Sequence, residues 1–114
     1  GFISSILFRG IKWNFIPTTI LAQCDSCIGG KTSINFDKYK NQIGNFYPPS
    51  AIYIDTQFLS TLPEKEIASG IGEMCHYFLL KDIDSFEKFK YLYAKLPDSG
   101  SMVEMIKTSL AIKK

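Results

Sequence analysis

The chain has 114 residues, 46% of them hydrophobic and 14% aromatic, with 13 basic against 11 acidic side chains and a net charge of +2. That is enough apolar chain to bury the core of one small domain, which excludes a disordered segment, and the charge is too balanced for a nucleic-acid or anionic-membrane surface. No apolar run approaches the roughly 18–20 residues of a membrane span. The three cysteines leave one unpaired in any disulfide framework, so a reducing cytoplasm is the expected compartment.

In chain order, residues 1–10 read as the end of a helix, with Gly10 as the residue that closes it. "KWNFIPTT" reads as a short buried strand ending at Pro17. "TILAQCDSCIGG" fits a helix that its Gly pair ends. The turn-rich "KTSINFDKYKNQIGNFYPP" reads as a loop, and "SAIYIDT" as a second strand. The pattern changes at Thr61-Leu62-Pro63. From there "LPEKEIASGIGEMCHYFLLKD" predicts a helix, with Pro at its start, acidic residues in its first turn and a buried stripe of Ile67, Ile71, Met74, Phe78 and Cys75. "DIDSFEKFKYLYAKL" and "SMVEMIKTSLAIKK" predict two more helices, parted by Pro97, Asp98 and Gly100. The expectation is an α/β layer over residues 1–62 and an α-helical unit over 63–114. The first residue is Gly1, and helical patterns run to both ends, so an internal stretch of a longer protein is expected.

Four local patterns carry chemistry. Gly30-Lys31-Thr32 ends like a phosphate-binding P-loop, but that motif needs a Gly five residues before Gly30, and Asp25 stands there. An Asp would set negative charge against the phosphates, so the P-loop is rejected. Cys24 and Cys27 form C-x-x-C, yet a zinc site needs two more ligands and only the adjacent pair Cys75-His76 offers any. Both cysteines are read as small packing residues. Gly29-Gly30-Lys31, with Asp25 upstream and Lys40-Asn41 downstream, offers free backbone, two cations, a carboxylate and an amide. That set suits a small anionic polyol as well as it suits an ordinary solvated turn. Glu73 and His76, the only histidine, lie one helical turn apart and can share a divalent metal; a surface Glu beside a helix His is the plainer alternative.

The order of these patterns resembles the 3-dehydroquinate synthase family of sugar-phosphate cyclases. The stretches that carry the likeness are "RGIKWNFIPTTILAQCDSCIGGKTSIN", "KNQIGNFYPPSAIYIDTQFLSTLP" and "EIASGIGEM", over about residues 1–80. The resemblance implies a two-domain protein, with a Rossmann-like NAD-binding α/β domain followed by an all-helical metal-binding domain. Residues 1–62 would be the end of the first and 63–114 the start of the second. It implies NAD contacts at Thr18, Thr19, Asp25, Ser26, Lys31, Lys40, Thr61 and Leu62. It implies substrate contacts at Asp25, Lys31, Asn41 and Lys113, catalytic roles for Lys31, Lys40, Asn41 and His76, and metal binding by Glu73. The implied cofactors are NAD and a zinc or cobalt ion. The implied ligand is a sugar phosphate, and the full-length protein is expected to be a homodimer. The implied reaction is phosphate release from a heptulosonate phosphate with ring closure to 3-dehydroquinate, in aromatic amino-acid biosynthesis. His76 departs from the family's usual lysine, which leaves open a related cyclase acting on another sugar phosphate. An NAD-dependent polyol dehydrogenase and a non-catalytic binding remnant are the further alternatives.

Overall fold

The computed structural model describes residues 1–114. Strand β1 (Asn14–Phe15) pairs in parallel with β4 (Ala51–Ile52), Asn14 opposite Ala51 and Phe15 opposite Ile52. Two more bonds extend the ladder: the Ser50 N–H donates to the Trp13 carbonyl at 2.8 Å, and the Tyr53 N–H to that of Phe15 at 2.9 Å. Both expected strands therefore form, in the parallel pairing of an α/β layer, but β1 stops at Phe15 rather than Pro17 and is not buried: Asn14 is exposed and Phe15 half-buried. Parallel neighbours need a long crossover, and residues 16–50 supply it. Before β1, helix α1 (Phe2–Ile6) and a 3-10 turn to Arg9 end at Gly10, whose φ is 112°.

The stretch 31–49 is not a loop throughout, as its turn formers suggested. It contains an antiparallel hairpin, β2 (Ile34–Phe36) with β3 (Tyr39–Ile43). Ile34, Phe36, Tyr39 and Ile43 supply the strand-forming side chains. Asp37 makes the reversal at φ 52°, a conformation that Asp and Asn tolerate better than most residues. The register slips between Ile34 and Phe36, and Asn41 sits in the resulting bulge at φ 57°.

Between β1 and the hairpin the chain makes a helical turn from Ile20 to Ser26. The Thr19 hydroxyl oxygen caps it, accepting from the Ala22 N–H at 3.2 Å. From Ala22 onward the turn is π-helical, and the Cys27 N–H reaches back five residues to the Ala22 carbonyl at 3.0 Å. Gln23 is fully buried, and its amide donates to the carbonyls of Pro17 (3.1 Å) and Asp55 (2.8 Å). One side chain thus ties the turn to the segments leaving both strands.

A 3-10 turn (Thr56–Thr61), capped by Asp55, leads into α2 (Glu64–Lys81), with Pro63 just ahead of it. Helices α3 (Ile83–Tyr93) and α4 (Ser99–Lys113) each begin at an aspartate. Asp82 accepts from the Ser85 N–H at 2.7 Å and Asp98 from the Ser101 N–H at 2.8 Å. None of these helices is long and apolar enough to cross a membrane. The predicted stripe of α2 faces inward: Met74 and Phe78 are fully buried, with Ile67, Ile71 and Cys75 at the margin. One core joins both halves of the chain. Ile20, Cys24 and Leu59 enter from before Pro63, and Met74, Phe78, Phe89, Leu92, Met105 and Ile106 from after it. The two halves approach closely at Gly70, where a Cβ would lie 2.3 Å from the Cβ of Ile20.

Candidate functional site

Asp25 lies in the π-helical turn, and two helices far along the chain reach it. The Lys113 ammonium, from the end of α4, donates to Asp25 Oδ1 at 2.5 Å and to the Asp25 backbone carbonyl at 2.6 Å. The Tyr77 hydroxyl, from α2, donates to the same Oδ1. No hydrogen bond of the protein reaches Oδ2. Partial burial alone would raise the Asp25 carboxyl. The bonds from Lys113 and Tyr77, with the charges of Lys113 and Lys31, outweigh it and hold the group below its ordinary 3.8. Tyr77 moves the other way. Burial first, then the bond to Asp25 and the charges of Asp25 and Glu73, push its phenol well above 10. The phenol stays a donor and the carboxylate an acceptor at neutral pH.

Lys31 and Asn41 line a second feature, a hollow of about 510 Å³ shared with Ser33, Gly44, Asn45 and Phe46. The Asn41 side-chain oxygen accepts from the Ser33 hydroxyl at 3.5 Å, and its backbone N–H donates to the Asn35 side chain at 3.0 Å. Lys40 is exposed on β3 and does not line the hollow. Gly29 and Gly30 precede Lys31 at φ 97° and 64°, and their backbone N–H groups donate to no carbonyl of the protein. At Gly30 a Cβ would come within 3.0 Å of the Pro48 nitrogen, so a glycine is required twice over. Consecutive free amides in this conformation form a concavity that favours an anion.

Glu73 is half-buried on the α2 face that carries Tyr77, one turn away. It forms no ion pair, and its charge reaches both Tyr77 and Cys24. His76 is exposed. No three side chains of metal-binding type cluster anywhere in the chain, so these residues fit one ligand of a metal site, not a complete one. Cys24 and Cys27 are buried at 0% and 1% exposure, as packing residues would be. Burial, helped by the charges of Asp25 and Glu73, pushes the Cys24 thiol up to about 12. Of the remaining expected positions, Thr18 and Ser26 are exposed and Thr19 is the cap of the turn. Thr61 and Leu62 end the 3-10 turn, where no hydrogen bond or ion pair joins them to Asp25. Tyr77 was not among the expected residues. A lone mid-helix tyrosine carries no signal until the fold brings it against a partner 52 residues away in the sequence.

Residues 1–69 match the family profile described as 3-dehydroquinate synthase N-terminal. The chain belongs to the 3-dehydroquinate synthase family. It is 46% identical over 119 residues to the 3-dehydroquinate synthase of Dictyoglomus turgidum, covering 100% of this chain and 33% of that one. Among solved structures it resembles 2-epi-5-epi-valiolone synthase from Streptomyces hygroscopicus subsp. jinggangensis 5008, crystallised with NAD+ and Zn2+ (TM-score 0.89, 29% identity, 99% of this chain and 32% of that one). It also resembles 2-deoxy-scyllo-inosose synthase in complex with carbaglucose-6-phosphate, NAD+ and Co2+ (TM-score 0.82, 28% identity, 96% and 30%). The chain spans about a third of the length of the curated 3-dehydroquinate synthases it matches.

Proposed function

We propose that the protein is an NAD- and metal-dependent lyase of the 3-dehydroquinate synthase type, which releases phosphate from a heptulosonate phosphate and closes its carbon ring. The observation that carries the reading is the cluster at Asp25, where an ionised carboxylate with one free oxygen is held between Lys113 and Tyr77, with Lys31 nearby. In this reading residues 1–62 belong to an NAD-binding α/β domain and residues 63–114 open a helical metal-binding domain. The whole protein works in the cytoplasm as a homodimer on a small-molecule substrate.

When bound, NAD supplies a transient oxidation of one substrate hydroxyl and a zinc or cobalt ion polarises that hydroxyl. The chain's own groups bind and orient. Asp25 Oδ2 accepts a hydrogen bond from a substrate hydroxyl. Lys113 and Lys31 neutralise its carboxylate and phosphate, and Asn41 offers an amide beside them. The free amides of Gly29 and Gly30 suit a phosphate oxygen of cofactor or substrate. Thr18, Thr19, Ser26, Lys40, Thr61 and Leu62 contact NAD in this reading. Glu73 provides one carboxylate ligand to the metal, and His76, one turn on, meets a substrate hydroxyl.

The test is phosphate release by the intact protein with NAD+ and a divalent metal. Turnover of the heptulosonate phosphate is expected, and the 114 residues alone should release none. A second reading, a cyclase for another sugar phosphate, is favoured by the His76 imidazole, a weaker partner than an ammonium for an anion. Release from a hexose phosphate or another heptulose phosphate, with none from the heptulosonate phosphate, would replace the first reading by the second.

A further inference from the structure

The Asp25 carboxylate can rotate. Its last torsion is broad, and a single ammonium partner, a point charge on a flexible stem, does not decide which oxygen faces outward. In this structure a second donor decides it. The Tyr77 hydroxyl comes from α2 and the Lys113 ammonium from α4, and both converge on Oδ1. Lys113 is also tied to the Asp25 backbone carbonyl at 2.6 Å, which anchors the lysine to the turn itself. With Oδ1 doubly occupied, Oδ2 is the oxygen left to accept from a ligand.

We propose that Tyr77 is a positioning residue: by sharing Oδ1 with Lys113, its hydroxyl fixes the plane of the Asp25 carboxylate and presents Oδ2 to a hydroxyl of the bound polyol. The identity of that ligand rests on the function proposed above; the Tyr77–Asp25 bond does not. The ring is suited to the task because a phenol is rigid beyond two torsions and costs little ordering. Glu73 sits one turn before it on α2, Cys24 is buried alongside as a thiol, and Lys31 adds its charge from the glycine turn. A carboxylate such as Glu73 offers Oδ1 no donor, and the Cys24 thiol is directed to the Leu21 carbonyl instead, at 4.0 Å.

The test compares Tyr77→Phe, Asp25→Asn and the double variant in the intact protein. The first readout needs no activity. Carbon-13 NMR titration of the Asp25 carboxyl should show its pKa rising toward the ordinary value in Tyr77→Phe, because one of the bonds that lowers it is gone. The second readout is kcat/KM. Tyr77→Phe should lose about tenfold or more in the wild-type background and less than about twofold in Asp25→Asn, since the tyrosine acts through the aspartate. An unmoved Asp25 titration, or the same loss in both backgrounds, would overturn the proposal. A wild-type protein without phosphate release would overturn the functional reading instead, and the NMR titration would still decide the role of Tyr77.

Discussion

Two glycines of α2, two residues apart, should respond in opposite directions to the same substitution. At Gly70 an added Cβ would meet the Cβ and Cγ2 of Ile20 at 2.3 Å and the Leu21 nitrogen at 3.2 Å. Ile20 is fully buried, and the atoms met first are at the root of its side chain, so a rotamer change cannot clear them. Restoring ordinary contact requires α2 and the turn to part by about 1 Å, and overpacking of this kind costs about 1–3 kcal/mol. Removing a helical glycine recovers about 0.5–1 kcal/mol. Gly70→Ala is therefore expected to destabilise by about 1 kcal/mol. At Gly72 nothing lies within 4 Å of the added carbon and the residue is exposed. Only the helix gain remains, so Gly72→Ala should stabilise by up to about 1 kcal/mol. Urea unfolding midpoints of the intact protein and both variants, with m-values checked for constancy, measure the difference. Midpoints that move in the same direction would refute the claim that the Gly70–Ile20 approach sets the packing of the two halves.

Three other outcomes follow from the site. Asp25 is held below its ordinary 3.8, so the native state keeps it ionised where the unfolded chain protonates it. Its contribution is full above that value and is lost as the pH falls through the lower native one; Asp25→Asn should flatten the fall in the urea midpoint between neutral pH and about pH 3. Iodoacetamide at neutral pH should label Cys75 before Cys24 or Cys27, because both of those thiols are buried and raised, and peptide mass mapping would show the reverse order if either were a reactive pair. Glu73→Gln should weaken zinc binding to the intact protein at least about tenfold in a chelator competition, and unchanged affinity would remove Glu73 from the metal site.

What could be read from the sequence was what is local in it. Asp25, Gly29, Gly30 and Lys31 fall within seven positions, so their joint chemistry shows as a motif. The helices after Pro63 show their period and their capping aspartates. The hairpin was hidden because Asn35, Asp37, Asn41 and Gly44 read as turn formers, while Ile34, Phe36, Tyr39 and Ile43 carry the strand signal between them. The partners of Asp25 were hidden for another reason. Lys113 is 88 residues away and Tyr77 is 52, and neither separation leaves a periodic trace. Lys113 was named through the family resemblance; Tyr77, which no motif marks, was not.

The same contact that sets the core also sets the site. Gly70 lies against Ile20, and seven residues further along α2, about 10 Å along its axis, Tyr77 reaches Asp25, five residues past Ile20. The helix and the turn are thus fastened at two points, one apolar and one polar. Hydrogen bonds tolerate only a few tenths of an ångström before they weaken. Parting the elements by about 1 Å at the first point would loosen the second, so Gly70→Ala should raise the Asp25 pKa toward its ordinary value although the added carbon meets neither Asp25 nor Tyr77. Gly72→Ala, which leaves the spacing alone, should not. A mutation that touches neither Asp25 nor Tyr77 then alters the pKa of the carboxylate that would meet the substrate, through the distance between two backbones.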